Sequence, residues 1–284
     1  MARVENSEVF FDKHRLTTSG FADLARTFLP KPVKDLLRQI GRGERVRYPM
    51  GEPCVAKVLG YSASFWIKNY SDFYRIASGN FERSFSKDLI QTIAEKGEVF
   101  VDVGSAQGYY SIIAAKAGAE VYAIDPDPVS IGSIQKNILL NTNINGRLHI
   151  VQLALGNENR VALLNIDRRG IYAPSLIKTV EGLSEGIYVN MSKFDTLVDE
   201  RKVLIPQVVK IDVEGAEGLV IDGMRKTLNA PNKPTDLFME LHPKYLPMFG
   251  TNIGELVKRI TSYGYHLALN PLPRGKELLC HFES

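Results

Sequence analysis

Three segments of the chain carry side chains that could do chemistry together. The first is KIDVEGAE, which holds Lys210, Asp212, Glu214 and Glu217. The second is MELHP, with Glu240 and His242. A carboxylate beside an imidazole suits removal of a proton from a hydroxyl. The same groups could hold a divalent ion through oxygen ligands and one ring nitrogen, although nothing in their spacing requires it. A blander reading pairs Lys210 with Asp212 as an internal ion pair and makes His242 an ordinary satisfied histidine before a turn proline. That reading leaves Glu214 and Glu217 over, at the Gly215 turn. The third segment is the turn Gly104-Ser105-Ala106-Gln107-Gly108, preceded by Asp102 and followed by Asp125. Two glycines four apart let the backbone bend and let a ligand approach without meeting a Cβ. A carboxylate about 20 residues beyond such a turn is placed to hydrogen-bond a ribose hydroxyl, and it would repel a 2′-phosphate. The middle glycine of the dinucleotide fingerprint is missing, and Asp102 could meet a zwitterionic amino-acid tail. The turn therefore leans towards S-adenosylmethionine over NAD.

These residues need elements to hold them. Val99–Val103 is an apolar run of the kind buried in a parallel sheet. A helix over 109–116 follows the turn, closed by Gly118. Val121–Ile124 is a second strand and ends on Asp125. A helix marked by Ile131, Ile134 and Ile138 runs to Asn141, and Leu148–Leu153 is a third strand with Ala154-Leu155-Gly156 as its exit loop. Val161–Ile166 and Ile187–Ser192 alternate like antiparallel strands outside the main sheet, with a loop around Ser175 between them. Val208–Val213 is a fourth strand, whose alternation puts Lys210, Asp212 and Glu214 on one face. Ala216–Leu228 is its helix, and Leu237–Leu241 is a fifth strand. A helix over Ile253–Tyr263 precedes two closing strands, Tyr265–Leu269 and Leu278–Phe282. Strands alternating with helices predict an open α/β sheet covered on both faces. In such sheets ligands bind outside the carboxyl ends of the strands, where the three segments converge.

Ahead of the first core strand, residues 81–93 read as a helix. Residues 21–29 and 33–40 have helical spacing, and weak β-prone pieces lie at Cys54–Leu59 and Ser64–Lys68. Residues 1–80 are thus expected as an extension, a cap that could serve a substrate or a dimer. Residues 81–284 form the main domain, with an insertion over 157–206.

The chain has 284 residues, 44% of them hydrophobic and 24% charged, enough for a full core. No apolar run approaches the ~20 residues of a membrane span. The charged N-terminus lacks a secretory core, so a cytoplasmic address is expected. Cys54 and Cys280 are isolated and read as inert thiols. The net charge of +3 is concentrated in residues 1–60. Without aromatic interleaving, that surplus reads as a solvated helix face more readily than as a nucleic-acid surface.

The segments FVDVGSAQGYYSIIAA, YAIDPDP, KFDTLVDE, VVKIDVEGAEGLVIDGM and FMELHP, in this order, resemble the FkbM-type S-adenosylmethionine-dependent methyltransferases over about residues 81–266. The resemblance implies a Rossmann-like class I methyltransferase sheet, mostly parallel with an antiparallel last strand. It also implies an O-methyltransferase acting by direct displacement on a hydroxyl of a small-molecule or glycan acceptor. By the family's pattern, Asp102, Gly104, Ser105 and Gly108 would line the methionine part of the cofactor. Asp125 would take the ribose, and Pro126, Ala154 and Leu155 would border the adenine. His242 and Glu240 would be the candidate bases, with Asp212 and Glu214 positioning acceptor or cofactor. Ser105-Ala106-Gln107 stands where the family often has Ala-Asn-x, so that asparagine's contact passes to another group. Nucleic-acid methylation is a rival, but no Asn/Asp-Pro-Pro-aromatic motif follows the fourth strand. An NAD-linked oxidoreductase is opposed by the missing glycine, and a non-catalytic scaffold by five titratable groups at one sheet mouth.

Overall fold

The computed structural model describes residues 50–77, 83–144, 146–166, 176, 185–268, 272–274 and 277–284. The expected N-terminal helices and the Ser175 loop lie outside the described residues. The chain divides into two compact units, residues 1–87 and 88–284. In the first unit, β1 (Pro53–Val58) and β2 (Tyr61–Trp66) pair as an antiparallel hairpin. Their two-residue turn, Leu59-Gly60, has both φ angles positive, the twist that suits a tight hairpin. Helix α1 (Tyr70–Ala77) follows, an element the weak local pattern does not announce.

Helix α2 (Arg83–Lys96) leads into the strand-and-helix series of the second unit. In order these are β3 (Val99–Val103), α3 (Tyr109–Lys116), β4 (Glu120–Ile124), α4 (Pro128–Leu139), β5 (Leu148–Val151), β6 (Ala154–Leu155), β7 (Arg160–Ile166) and β8 (Glu185–Ser192). There follow α5 (Phe194–Asp199), β9 (Val208–Ile211), α6 (Glu217–Gly223), α7 (Arg225–Leu228), β10 (Asp236–Leu241), α8 (Ile253–Ser262), β11 (His266–Leu267), β12 (Leu272–Arg274) and β13 (Glu277–Glu283).

The main sheet has the order β11-β13-β10-β9-β3-β4-β5, with β12 paired to β13. Strands β5, β4, β3, β9 and β10 are parallel, and β13 enters antiparallel between β10 and β11. This is the mostly parallel α/β sheet that the alternation of elements predicts. A separate sheet, β6-β8-β7, falls between β5 and β9 in the chain. Ala154-Leu155 is therefore a short strand, paired in parallel with Met191 and Ser192, where the sequence reads as an exit loop. Two residues offer too little alternation to mark a strand.

Register decides which side chains share a face. Asp102 stands opposite Ala123 and Lys210, and Lys210 opposite Phe238. Helix α3 covers this face, since Ser111 Oγ donates to Asp102 Oδ2 at 2.6 Å. Helix α4 covers it too, packing Ile131 and Ile134 on Ala123. Asp127 caps α4, accepting from the backbone N–H groups of Val129 and Ser130, worth about 1 kcal/mol. The opposite face, with Val101, Val103, Val209, Ile211 and Met239, packs on Phe194, Val220, Ile221, Leu256 and Ile260 from α5, α6 and α8. Helices thus lie on both faces, and Asp102 and Lys210 project from the one that α3 and α4 cover.

Strand β9 ends at Ile211, two residues short of the predicted end. Asp212 N–H still donates to Val103 O at 3.0 Å. Glu214 then turns into the left-handed region at φ 53 and Gly215 at φ 103. Glu214 reaches its place by this turn and not by strand alternation.

Candidate active site

The glycine turn after β3 is held from two sides. Gly104 has φ +77, and a Cβ there would fall 1.8 Å from the carbonyl oxygen of Asp212. Only glycine lets the β3 turn lie against the exit of β9. Ala106 takes φ 49, a region costly for an L-residue with a Cβ. Its N–H donates to Asp125 Oδ2 at 2.8 Å, and Asp127 N–H donates to Asp125 Oδ1 at 2.9 Å. Asp125 is buried at the tip of β4. Burial pushes its carboxyl up to about 7; the two backbone N–H groups oppose the shift, and the charges of Asp127 and Asp102 add to it. Ser105 Oγ and both polar atoms of the Gln107 side chain are buried without a hydrogen-bond partner.

The remaining residues expected near a cofactor are placed less simply. Asp102 is buried, with Oδ2 on Ser111 and Oδ1 3.5 Å from Lys210 Nζ. Its Oδ1, beside the Lys210 ammonium, has no hydrogen-bond partner, so one oxygen of the carboxylate keeps an open acceptor. Gly108, at φ +80, opens α3. Pro126 is half-buried beside Asp125. The Leu155 side chain belongs to the main hydrophobic core, and Ala154 packs with Ala162 and Met191. Both side chains are core members, so any border they give an adenine comes at the surface of that packing.

The second group of residues converges as the strand order predicts. Lys210, almost fully buried, stands 3.5 Å from both Asp102 Oδ1 and Asp212 Oδ2, with its ammonium over the Tyr110 ring. The internal ion pair is therefore real, and it bridges two carboxylates. His242 sits just past β10. Its Nδ1 lies 2.7 Å from Glu217 Oε1, which also accepts the Gly215 N–H at 2.9 Å. Its Nε2 faces Glu214 at 3.5 Å, Glu240 at 3.9 Å and Asp212 at 4.0 Å. Burial works against charge on the imidazole, but the Glu217 hydrogen bond and the charges of Glu217, Glu214 and Asp212 outweigh it. The result is a pKa of about 9. Burial likewise raises Glu214, against the pull of His242.

Glu217 is the partner that sequence reasoning leaves without a task. It is fully buried in the first turn of α6 and fixes the ring whose other nitrogen meets the carboxylates. The one available signal was its place three residues after Glu214 across a glycine turn. Gln107 carries no such signal; only its burial without partners marks it.

The Methyltransferase FkbM domain model matches residues 102–267, more than half the chain. The hexuronic acid methyltransferase AglP of Haloferax volcanii is 29% identical over 181 residues, 63% of this chain and 72% of its own. A solved S-adenosylmethionine-dependent methyltransferase from Agrobacterium tumefaciens covers 85% of this chain and 74% of its own, with 12% identity and a TM-score of 0.50, a likeness of fold. A solved FkbM methyltransferase from Methylobacillus flagellatus KT aligns with 66% of this chain at 18% identity and a TM-score of 0.46. This chain spans 43% of that protein's length. Asp102, the first matched residue, opens the glycine turn, and the match runs through both groups of site residues, so the chain belongs to the FkbM methyltransferase family and is an S-adenosylmethionine-dependent methyltransferase.

Proposed function

We propose that the enzyme methylates a hydroxyl of a glycan or small-molecule acceptor. The observation that carries this is the cluster of Asp212, Glu214, Glu240 and His242 beside the glycine turn, joined to it where Gly104 abuts Asp212. The hexuronic acid named for AglP supports a sugar-like acceptor.

The residues of the turn fit an adenosyl ligand. Asp125 offers two buried carboxylate oxygens to a ribose diol, and Ser105 and Gln107 hold buried polar atoms that want partners. When bound, S-adenosylmethionine supplies a methyl group on a cationic sulfur, open to displacement by an oxygen lone pair. The chain then has to align the acceptor and take its proton. A ring with a pKa of about 9 is already protonated at neutral pH, so His242 donates from both nitrogens and orients the acceptor oxygen. Glu240, 3.9 Å from Nε2, is then the better base of the two candidates. Lys210 pairs with Asp212 and helps to fix its position. Residues 1–80 fit an extension that contributes to acceptor choice or to self-association.

The test is a mass-spectrometric screen of hydroxylated sugars and small molecules with S-adenosylmethionine. A mass gain of one methyl group on oxygen, lost in His242→Ala and Glu240→Gln proteins that still bind S-adenosylhomocysteine, supports the assignment. Unimpaired turnover by both variants removes these residues from the mechanism.

A further inference from the structure

We propose that Asp212, Glu240 and His242 form a binding site for one divalent cation. One ligand atom from each residue lies within 4.8 Å of the other two. The inference takes its purpose from the methyl-transfer reading, but the site itself stands on geometry.

The first observation is the set of gaps around His242 Nε2. The side chain is almost fully buried, and Nδ1 has its partner in Glu217. Nε2 points into the carboxylates, yet the oxygens facing it stand 3.5 to 4.0 Å away. A hydrogen bond would bring one of them to about 2.7–3.0 Å. Ligand atoms bound to a common ion at about 2.1–2.2 Å stand roughly 3 to 4.3 Å apart. The spacing is that of groups around an ion, and it is too wide for groups bonded to one another.

The second observation is Glu217. This fully buried carboxylate takes Nδ1, fixing the ring so that Nε2 faces the other carboxylates. A carboxylate behind a ring nitrogen is the usual support of a metal-bound histidine, and it raises the basicity of the ligating nitrogen. The second oxygen of Glu217 has no hydrogen-bond partner, so its hold on the protein runs through Oε1, shared by His242 and the Gly215 N–H. A cation would take Nε2 in place of the proton that this nitrogen otherwise carries, with the ring still bonded to Glu217 through Nδ1.

Two carboxylates and one imidazole are an oxygen-rich set with one nitrogen. That set suits an ion of the Mg²⁺ and Mn²⁺ class better than a thiophilic one. An ion there would acidify an acceptor hydroxyl bound to it, so that with Glu240 on the ion the neighbouring Glu214 suffices to take the proton.

The experiment is titration of the full chain with Mn²⁺ alone, followed by loss of the free-ion paramagnetic resonance signal. S-adenosylhomocysteine affinity is measured on the same preparations. Wild type should take up one Mn²⁺ per chain. Asp212→Asn and Glu240→Gln should each weaken uptake at least about tenfold, and Glu217→Gln about tenfold, with S-adenosylhomocysteine still bound. Wild type that binds S-adenosylhomocysteine but leaves the Mn²⁺ signal unchanged at millimolar ion overturns the proposal. So does equal uptake by wild type and the Asp212→Asn/Glu240→Gln double variant. Mn²⁺ uptake that depends on these residues in a protein unable to bind S-adenosylhomocysteine upholds the ion site and counts against the cofactor assignment alone.

Discussion

On the proposed ribose role, Asp125 would make cofactor binding depend on pH in a way that can be worked out beforehand. Its carboxyl is pushed up to about 7 because burial penalises the charge more than two backbone N–H donors favour it. Ribose hydroxyls donate to a carboxylate, so the adenosyl ligand selects the ionised form. Binding must therefore weaken as the pH falls and protons occupy the site. With a pKa of about 7, roughly nine-tenths of the groups are ionised at pH 8 and about one-tenth at pH 6. The dissociation constant for S-adenosylhomocysteine should rise about tenfold between those two conditions and level off above about pH 8. Near pH 7 each binding event should release about half a proton, visible as a heat that changes with the buffer's ionisation enthalpy. Titration calorimetry of the wild-type protein reads both quantities. Asp125→Ala should lose about 3 kcal/mol of binding, two charge-assisted hydrogen bonds at about 1.5 kcal/mol each, and with it the pH dependence. A wild-type affinity constant within twofold from pH 6 to pH 8, with no buffer-dependent heat, would refute the ribose role and the burial argument together.

Other consequences are simpler to check. Gly104→Ala places a methyl group 1.8 Å from the Asp212 carbonyl oxygen at φ +77. It should cost more than about 3 kcal/mol, or roughly 10 °C in melting temperature, and an unchanged melting curve counts against the close contact of turn and strand exit. Glu217→Gln should lower kcat about tenfold to a hundredfold with KM for the cofactor nearly unchanged, whereas a purely structural role would move stability and both constants together. Cys280, whose thiol burial pushes up to about 11, should resist alkylation at neutral pH in the native protein and react only after denaturation. Labelling of Cys280 without denaturant, seen by peptide mass spectrometry, contradicts its place in the core.

The parts of this protein legible in the sequence are those where one local rule acts alone. The β3 run, the glycine turn and Asp125 follow from an apolar stretch, two glycines and a spacing. The meeting of β9 and β10 at one sheet mouth follows from the rule for open α/β sheets. Where two rules compete, the reading slips. The alternation Val209, Ile211, Val213 continues past the true end of β9, because apolar periodicity does not register the positive φ that Glu214 and Gly215 adopt. Ala154-Leu155 becomes a strand only because β8 comes back to pair with it, a contact between distant segments. Glu217 was hidden for the same reason. Its partner His242 lies 25 positions away, and nothing local to VEGAEG says that the acid turns inward. The pairing of Asp102 with Lys210 was hidden likewise, because it comes from the register of β3 with β9 and not from the order of residues along the chain.

That register also explains why the two halves of the site belong together. Asp102 and Lys210 stand opposite each other on β3 and β9, and Lys210 holds Asp212 on its other side. Asp212 in turn supports the glycine turn through the carbonyl that Gly104 approaches, and its carboxylate faces His242. One residue thus presents its backbone to the glycine turn and its side chain to the acid–imidazole cluster. Lys210, almost fully buried, would be expensive to bury without Asp102 and Asp212 to pair with. On the proposed reading, these paired charges would fix the distance between the groups that hold a ligand and the groups that handle a proton. Methyl transfer needs that alignment more than it needs any single strong acid or base.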